Sequence, residues 1–430
     1  MLEKEIEKYY DDHRDEMLAA LKELIAIDSS FRDPTEEKPF GAGSAAALDW
    51  VQRFGDGLGL RTRNVDNRAV AMDWSEREPM LAVLSHVDVV PADPAEWTTP
   101  PFEMDVRDGY IFGRGSVDDK GPTVAVLYAV KCLKELGVSL ESGLRMIVGG
   151  GEELGSGDLD YYMEREKLPE MVITPDGSFP VLNCEKGMVH LNFSAPYGVE
   201  LSIRAGGAIN AIPDRCVIST PGSEKTYTGK AAHGSRPENG DNAITKFLSE
   251  YNGDDSLLRG LKALFPYGET DGTACGLGFE DSLTGKMTCA LTQLNTRDGR
   301  LHGGIDIRFP IDRSLSEISG IIVGRLAELG FTPDETDGME PHHVPEDSRL
   351  VQTLLGIYER VSGRKGECIA EGGITYVHNT PGGVAFGAEY PWEQNNMHGA
   401  DEHIPLSTFR DNFLMYAQAI IELCGGTLDS

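Results

Sequence analysis

The sequence predicts an α/β fold: a domain with a central, mostly parallel sheet flanked by helices, plus an α+β module inserted into it. Three observations lead there. At 430 residues the chain exceeds the size at which a single hydrophobic core stops growing, so two domains are the default. From Met80 onward, short apolar runs alternate with helical patterns. That order suits a sheet with parallel members and helices on both faces. After Lys186 the pattern changes to half-alternating strands with two helical stretches among them. The predicted boundaries are 1–186 and 343–430 for the first domain and 187–342 for the module.

Each element has its own signal. Met17, Leu18, Leu21, Leu24 and Ile25 recur at helical spacing opposite a charged face. Met80-Leu-Ala-Val-Leu is a continuous apolar run, as in a strand covered on both faces. A helix opens near Pro122, a proline suited to a first turn, and closes at Gly137. Residues 144–148 and 171–174 read as further strands, with a short helix at 159–165 between them. In the module, residues 188–195, 286–294 and 300–310 read as strands, and 243–251 and 317–329 as helices. The polar run from Glu335 to Pro345 reads as a return linker. Phe409, Phe413, Tyr416, Ile420 and Leu423 line one side of a last helix that Gly425 stops.

Composition narrows the function. Hydrophobic content of 40% and charged content of 25% are those of a soluble globular protein. A formal charge of −31 argues against nucleic acid, whose phosphates call for a surplus of Lys and Arg. Seven cysteines, an odd number with no CxxC pair, fit a reducing compartment. No run approaches the roughly 18 apolar residues that span a bilayer, and the first residues lack a signal-peptide core. A cytoplasmic protein without membrane partners is the expectation. Gly41-Ala-Gly43-Ser-Ala-Ala46 imitates a dinucleotide loop but follows Lys38-Pro-Phe rather than a strand, so it is rejected. Neither HExxH nor GxSxG occurs, which removes the single-zinc protease and serine-hydrolase readings.

Metal-loving groups stand at several strand or loop ends, the layout of a two-metal hydrolytic site. His86 and Asp88 lie two apart in extended chain, so both face one way and Asp88 can orient the imidazole. In Gly113-Arg-Gly-Ser-Val-Asp118-Asp119-Lys120-Gly121, glycines flank paired acids, with Lys120 to offset part of their charge. A carboxylate there has two oxygens and can bridge two cations. Glu152 and Glu153 follow the apolar strand and Gly149-Gly-Gly. On a bent chain one can bind metal while the other serves as general base. Asp176 ends the third strand, and His398 lies far downstream in Met397-His398-Gly-Ala-Asp401-Glu-His403. His403 reads as structural.

The ordered set HxD, GRGxxDDKG, GGGEELG, PDG and MHGxDEH, with Gly229-Lys-Ala-Ala-His233-Gly-Ser-Arg-Pro, resembles the aminoacylase/carboxypeptidase superfamily of di-zinc hydrolases. His86-Val-Asp-Val-Val-Pro through Trp97, Asp176-Gly-Ser-Phe-Pro and Glu185-Lys-Gly are similar to the bacterial V-type (PepV-like) dipeptidases. The resemblance implies a catalytic domain with an inserted lid. It also implies two divalent cations, zinc first, with manganese or cobalt as alternatives. His86 and Asp176 would hold one cation, Glu153 and His398 the other, with Asp118 shared. Asp88 would orient His86, and Glu152 would be the base. A cis peptide at Asp118-Asp119 is implied as well.

In the module, the resemblance gives His233 the lid histidine's oxyanion role, Arg308 the substrate carboxylate, and Asn210 a further substrate contact. The stretch between Asn210 and His233 is shorter than in the V-type dipeptidases, which leaves monomer and homodimer both open. The implied reaction is hydrolysis of small peptides, dipeptides with a free C-terminal carboxylate. N-acyl-amino-acid deacylation, including desuccinylation, is the rival within the same chemistry, and a catalytically silent binding protein is the rival outside it.

Overall fold

The structure, a computed structural model, describes residues 2–428. The chain divides into two units. The first comprises Met1–Asn183, Val344–Ile369 and Thr375–Ser430; the second comprises Cys184–His343 with Ala370–Ile374.

The sheet of the first unit runs in the order Arg61–Val65, Ala69–Asp73, Gly143–Gly149, Pro79–His86, Met171–Thr174, Gly383–Ala385, Val181–Glu185. Its centre is parallel. Pro79–His86 pairs in parallel with Gly143–Gly149 and Met171–Thr174, and Gly383–Ala385 extends the parallel set. The flanking strands are antiparallel, so the sheet is mixed. Alternation along the buried strands explains the two layers around it. Leu81 and Val83 join one core with helices Leu2–Ile25, Lys120–Glu135 and Leu406–Cys424. Ala82 and Leu84 face the other way, onto Leu159 and Tyr162 of the short helix Gly157–Met163 and onto Tyr376.

The antiparallel hairpin 61–73 has no counterpart in the sequence reading. Arg61-Thr-Arg-Asn-Val carries little apolar signal, since its residues are exposed or half-buried. Its turn, also unread, takes positive φ at both Asp66 and Asn67, as in a type I′ hairpin turn.

The second unit holds a seven-stranded antiparallel sheet. Its order is Ser223–Thr228, Arg215–Thr220, Ser202–Ala205, Thr288–Arg297, Arg300–Phe309, Gly187–Pro196, Thr332–Met339. Helices Ala243–Glu250, Ser256–Leu264 and Leu315–Glu328 pack Phe247, Leu261 and Ile322 into its core with Leu191 and Ile305. The expected linker from Glu335 is corrected in part: Thr332–Met339 pairs antiparallel with Gly187–Pro196. Polar residues suit that place because an edge strand has one face and one side in water.

Candidate metal centre

Three parallel strands end at one edge of the first unit's sheet, and each delivers an acid or imidazole there. His86 is the last residue of its strand, Asp176 follows Met171–Thr174, and Glu152 and Glu153 open a 3-10 turn after Gly143–Gly149. Asp118 precedes the helix Lys120–Glu135, and His398 sits in a turn at φ +62. The Asp118–Asp119 peptide is cis.

These side chains converge. Asp118 sends its oxygens to different imidazoles: Oδ1 lies 3.0 Å from His86 Nε2, and Oδ2 lies 2.8 Å from His398 Nε2. His86 Nε2 is also 3.8 Å from Asp176, and His398 Nε2 is 3.3 Å from Glu153 Oε1. Two groups result, His86/Asp118/Asp176 and Asp118/Glu153/His398, with candidate ligand atoms within 4.8 Å of one another in each. Asp118 belongs to both.

The donor set fits divalent cations. His86 Nε2 and Glu153 Oε1 are buried without a hydrogen bond of good geometry, a cost that a cation at these atoms would remove. Electrostatics agree. Burial and the charge of Asp176 push Glu152 well above the usual carboxylate range; burial and Asp118 raise Glu153. Burial and Asp118 push Asp176 up to about 7. Burial would raise Asp118 too, but the imidazoles of His398 and His86 outweigh it and hold it low. His398, bonded to Asp118 and facing the Glu153 carboxylate, is raised to about 11. So many acids in one pocket repel each other, and cations relieve that repulsion.

Supporting acids hold the loops. His86 Nδ1 meets Asp88 through the backbone carbonyl at 3.1 Å and through Oδ1 at 3.4 Å. The Asp88 carboxylate also accepts the N–H groups of Glu152 and Glu153, at 3.2 and 3.1 Å. Sequence spacing suggested the first contact and gave no sign of the second. Asp119 accepts the His86 N–H at 3.1 Å. Glu402, which sequence reasoning passed over, is buried; its Oε1 accepts N–H groups from Gly115, Val117 and Asp118, and its Oε2 pairs with Arg114 at 2.6 Å. Lys120, expected to offset the acids' charge, is buried and donates to the Ile27 carbonyl at 2.7 Å. His403 packs on Phe112, with Nδ1 2.7 Å from the Asp401 carbonyl.

In the second unit Arg308 contacts Asp306, and Gly234, next to His233, lies against both Asp306 and the Asn210 carbonyl. The Gly234 N–H donates to the Asn210 carbonyl at 2.7 Å, and Ala211 pairs with His233. A Cβ on Gly234 would lie 2.3 Å from Asp306 Oδ2, so this approach requires glycine. Arg308 is buried and grips both Asp306 oxygens through Nε and Nη2, while Nη1 donates to the Gly372 carbonyl. His190 Nε2 reaches Asp306 at 3.2 Å. His233 is exposed, with Nδ1 2.7 Å from Ser235 Oγ.

A mixed sheet whose parallel strands end at two imidazole–carboxylate groups sharing one aspartate presents the layout of a metal centre. Residues 82–422 match peptidase family M20/M25/M40, and the chain belongs to that family. It is 32% identical over 456 aligned positions to the putative dipeptidase YtjP of Bacillus subtilis (strain 168), covering 95% of this chain and 97% of that one. To the Beta-Ala-Xaa dipeptidase of Lactobacillus delbrueckii subsp. lactis it is 31% identical, covering 95% and 96%. Among solved structures, human carnosine dipeptidase 1 shares the fold at TM-score 0.65 and 15% identity, covering 98% of this chain and 100% of that one. The dipeptidase Dug1p of Saccharomyces cerevisiae does so at 0.66 and 13%, covering 98% of each. No helix among the described residues is long and apolar enough to cross a membrane.

Proposed function

We propose that this chain is a two-cation dipeptidase acting on small peptides with a free C-terminal carboxylate. The observation that carries the reading is Asp118, whose two oxygens face two different imidazoles within two carboxylate groups. Full-length relatives named as dipeptidases support the substrate class.

His86 and Asp176 would hold one cation, Glu153 and His398 the other, and Asp118 would be available to both. When bound, the cations supply Lewis acidity toward the peptide carbonyl and the attacking water. Glu152 takes the proton from that water and returns it to the leaving amine. Asp88 keeps His86 oriented. His233 stabilises the developing oxyanion, and Arg308 offers its guanidinium to the substrate carboxylate. Asn210 adds a polar contact. Zinc is the first choice of metal, with manganese and cobalt next, and the seven free cysteines suit the cytoplasm.

The test is a hydrolysis panel of free-amine dipeptides against N-acetyl and N-succinyl amino acids, run with Zn²⁺, Mn²⁺ and Co²⁺ separately. Dipeptide preference is expected, and preference for the acylated set would overturn the substrate class. A Glu152→Gln enzyme should retain metal and lose turnover; activity near wild type would remove Glu152 as the base.

A further inference from the structure

Three successive backbone N–H groups in the acidic turn end on buried carboxylates. Those of Glu152 and Glu153 reach Asp88, and that of Gly151 reaches Asp158 Oδ2 at 2.8 Å. The same Asp158 oxygen accepts the Tyr376 hydroxyl at 2.6 Å, while Oδ1 accepts the Leu159 N–H at 2.7 Å. Asp158 and Tyr376 are both buried. The Tyr376 ring meets the His86 imidazole edge-on, at 6.1 Å between centroids and 86° between planes. A Cβ on Gly149 would lie 2.0 Å from the Tyr376 hydroxyl and 2.2 Å from Asp158 Oδ2. The first glycine of the Gly149-Gly-Gly run therefore makes room for this pair.

Packing alone does not account for it. A phenylalanine would fill the ring's space, and a buried carboxylate is costly without donors. The Gly151 N–H needs an acceptor in a dry place, an ionised acceptor makes the stiffer bond, and that acceptor needs a second donor to stay ionised. Tyr376 provides it.

We propose that Tyr376 and Asp158 are positioning residues for the peptidase reaction. Together they form a hydrogen-bonded relay that fixes the backbone of the Glu152–Glu153 turn and so the aim of the Glu152 carboxylate. The proposal rests on Glu152 being the base.

The test uses full-length, metal-loaded enzyme and a dipeptide substrate. Tyr376→Phe, which removes one oxygen atom, should lower kcat by about 10-fold, and Asp158→Asn by ~10–100-fold, the range seen when groups supporting a metal site are lost. KM should move by less than about 3-fold, and two equivalents of metal should remain bound. The double variant should be no slower than Asp158→Asn alone, because the two act in series. On a Glu152→Gln background, Tyr376→Phe should slow the residual rate no further. A merely structural tyrosine would slow both backgrounds by the same factor, and that result overturns the proposal. So does Tyr376→Phe at the wild-type kcat, or its loss of metal, which would mean that it acts through His86. If Glu152→Gln itself turns over normally, the base assignment falls, whatever Tyr376→Phe does on the wild-type background.

Discussion

Glu402 offers a quantitative test of how the loop carrying Asp118 is held. Glu402→Gln changes no volume but replaces one carboxylate oxygen by an NH₂. If the remaining oxygen keeps facing Gly115, Val117 and Asp118, the new NH₂ faces Arg114 Nη1, donor against donor, where the native contact is 2.6 Å. Arg114 is then a buried cation without its partner, a loss of about 3–5 kcal/mol. If the amide flips, Arg114 is satisfied and three buried N–H groups lose their acceptor, at ~1–3 kcal/mol each. Either orientation costs about 3–5 kcal/mol at the least. Burial outweighs Arg114 in setting the Glu402 carboxyl above its ordinary range, so the charge is costly in itself and depends on all four donors. For a unit of this size, the loss lowers the unfolding midpoint by roughly 6–15 °C. It should also weaken metal binding, because the Asp118 N–H is one of the three. Thermal unfolding of the metal-free protein and a metal titration measure the two effects. Arg114→Met with Glu402→Met should recover neither stability nor metal affinity, because the three N–H groups still lack their acceptor. A Glu402→Gln protein with wild-type midpoint and affinity would refute the reasoning.

Other perturbations separate ligands from supports. His398→Ala should leave one of two metal equivalents, whereas Asp118→Asn should weaken both by more than about 100-fold; elemental analysis after dialysis distinguishes them. Chelation should abolish hydrolysis, and divalent cation should restore it without refolding, as followed by activity and circular dichroism. In the second unit, burial would raise Asp306, but His190 and Arg308 outweigh it and hold its pKa below the usual value. Its contribution to stability is therefore full above the unfolded carboxyl value of about 3.9 and is lost as pH falls through the lower folded value. Asp306→Asn should be less stable at neutral pH and show a flatter acid limb in unfolding below about pH 4. It should also raise KM for dipeptides, since Arg308 keeps only one of its two bonds to the residue 306 side chain.

The convergence of His86, Glu152 and Asp176 was legible because parallel strands impose it. An apolar run ending in His86, another ending before Glu152 and a third ending before Asp176 must, if parallel, bring their ends to one edge. The sequence could not show which neighbours of these residues hold the loops. Asp158 reads as an acid on a short helix, Tyr376 as an aromatic in a loop, and Glu402 as one of several acids near His398. Each acquires its role through partners 7, 218 and 288 residues away, separations that no local pattern encodes.

The buried acids of the first unit divide by what they accept. Asp88, Asp158 and Glu402 have both carboxylate oxygens engaged, by backbone N–H groups and in Glu402 also by Arg114, so their charge is answered by the chain itself. Asp118 takes only imidazoles through its side chain, and Glu153 keeps an oxygen without a hydrogen bond. An acid whose lone pairs already face fixed amides cannot turn them to a cation without orphaning those amides. An acid left facing imidazoles and other acids has lone pairs to spare and an electrostatic reason to use them. Asp119 stands between the two: Oδ2 accepts the His86 N–H while Oδ1 is buried without a hydrogen bond, and its place outside both imidazole–carboxylate groups makes it a support rather than a ligand. Asp119→Asn should then retain both metal equivalents while Asp118→Asn does not, and equal metal loss in the two variants would break the division.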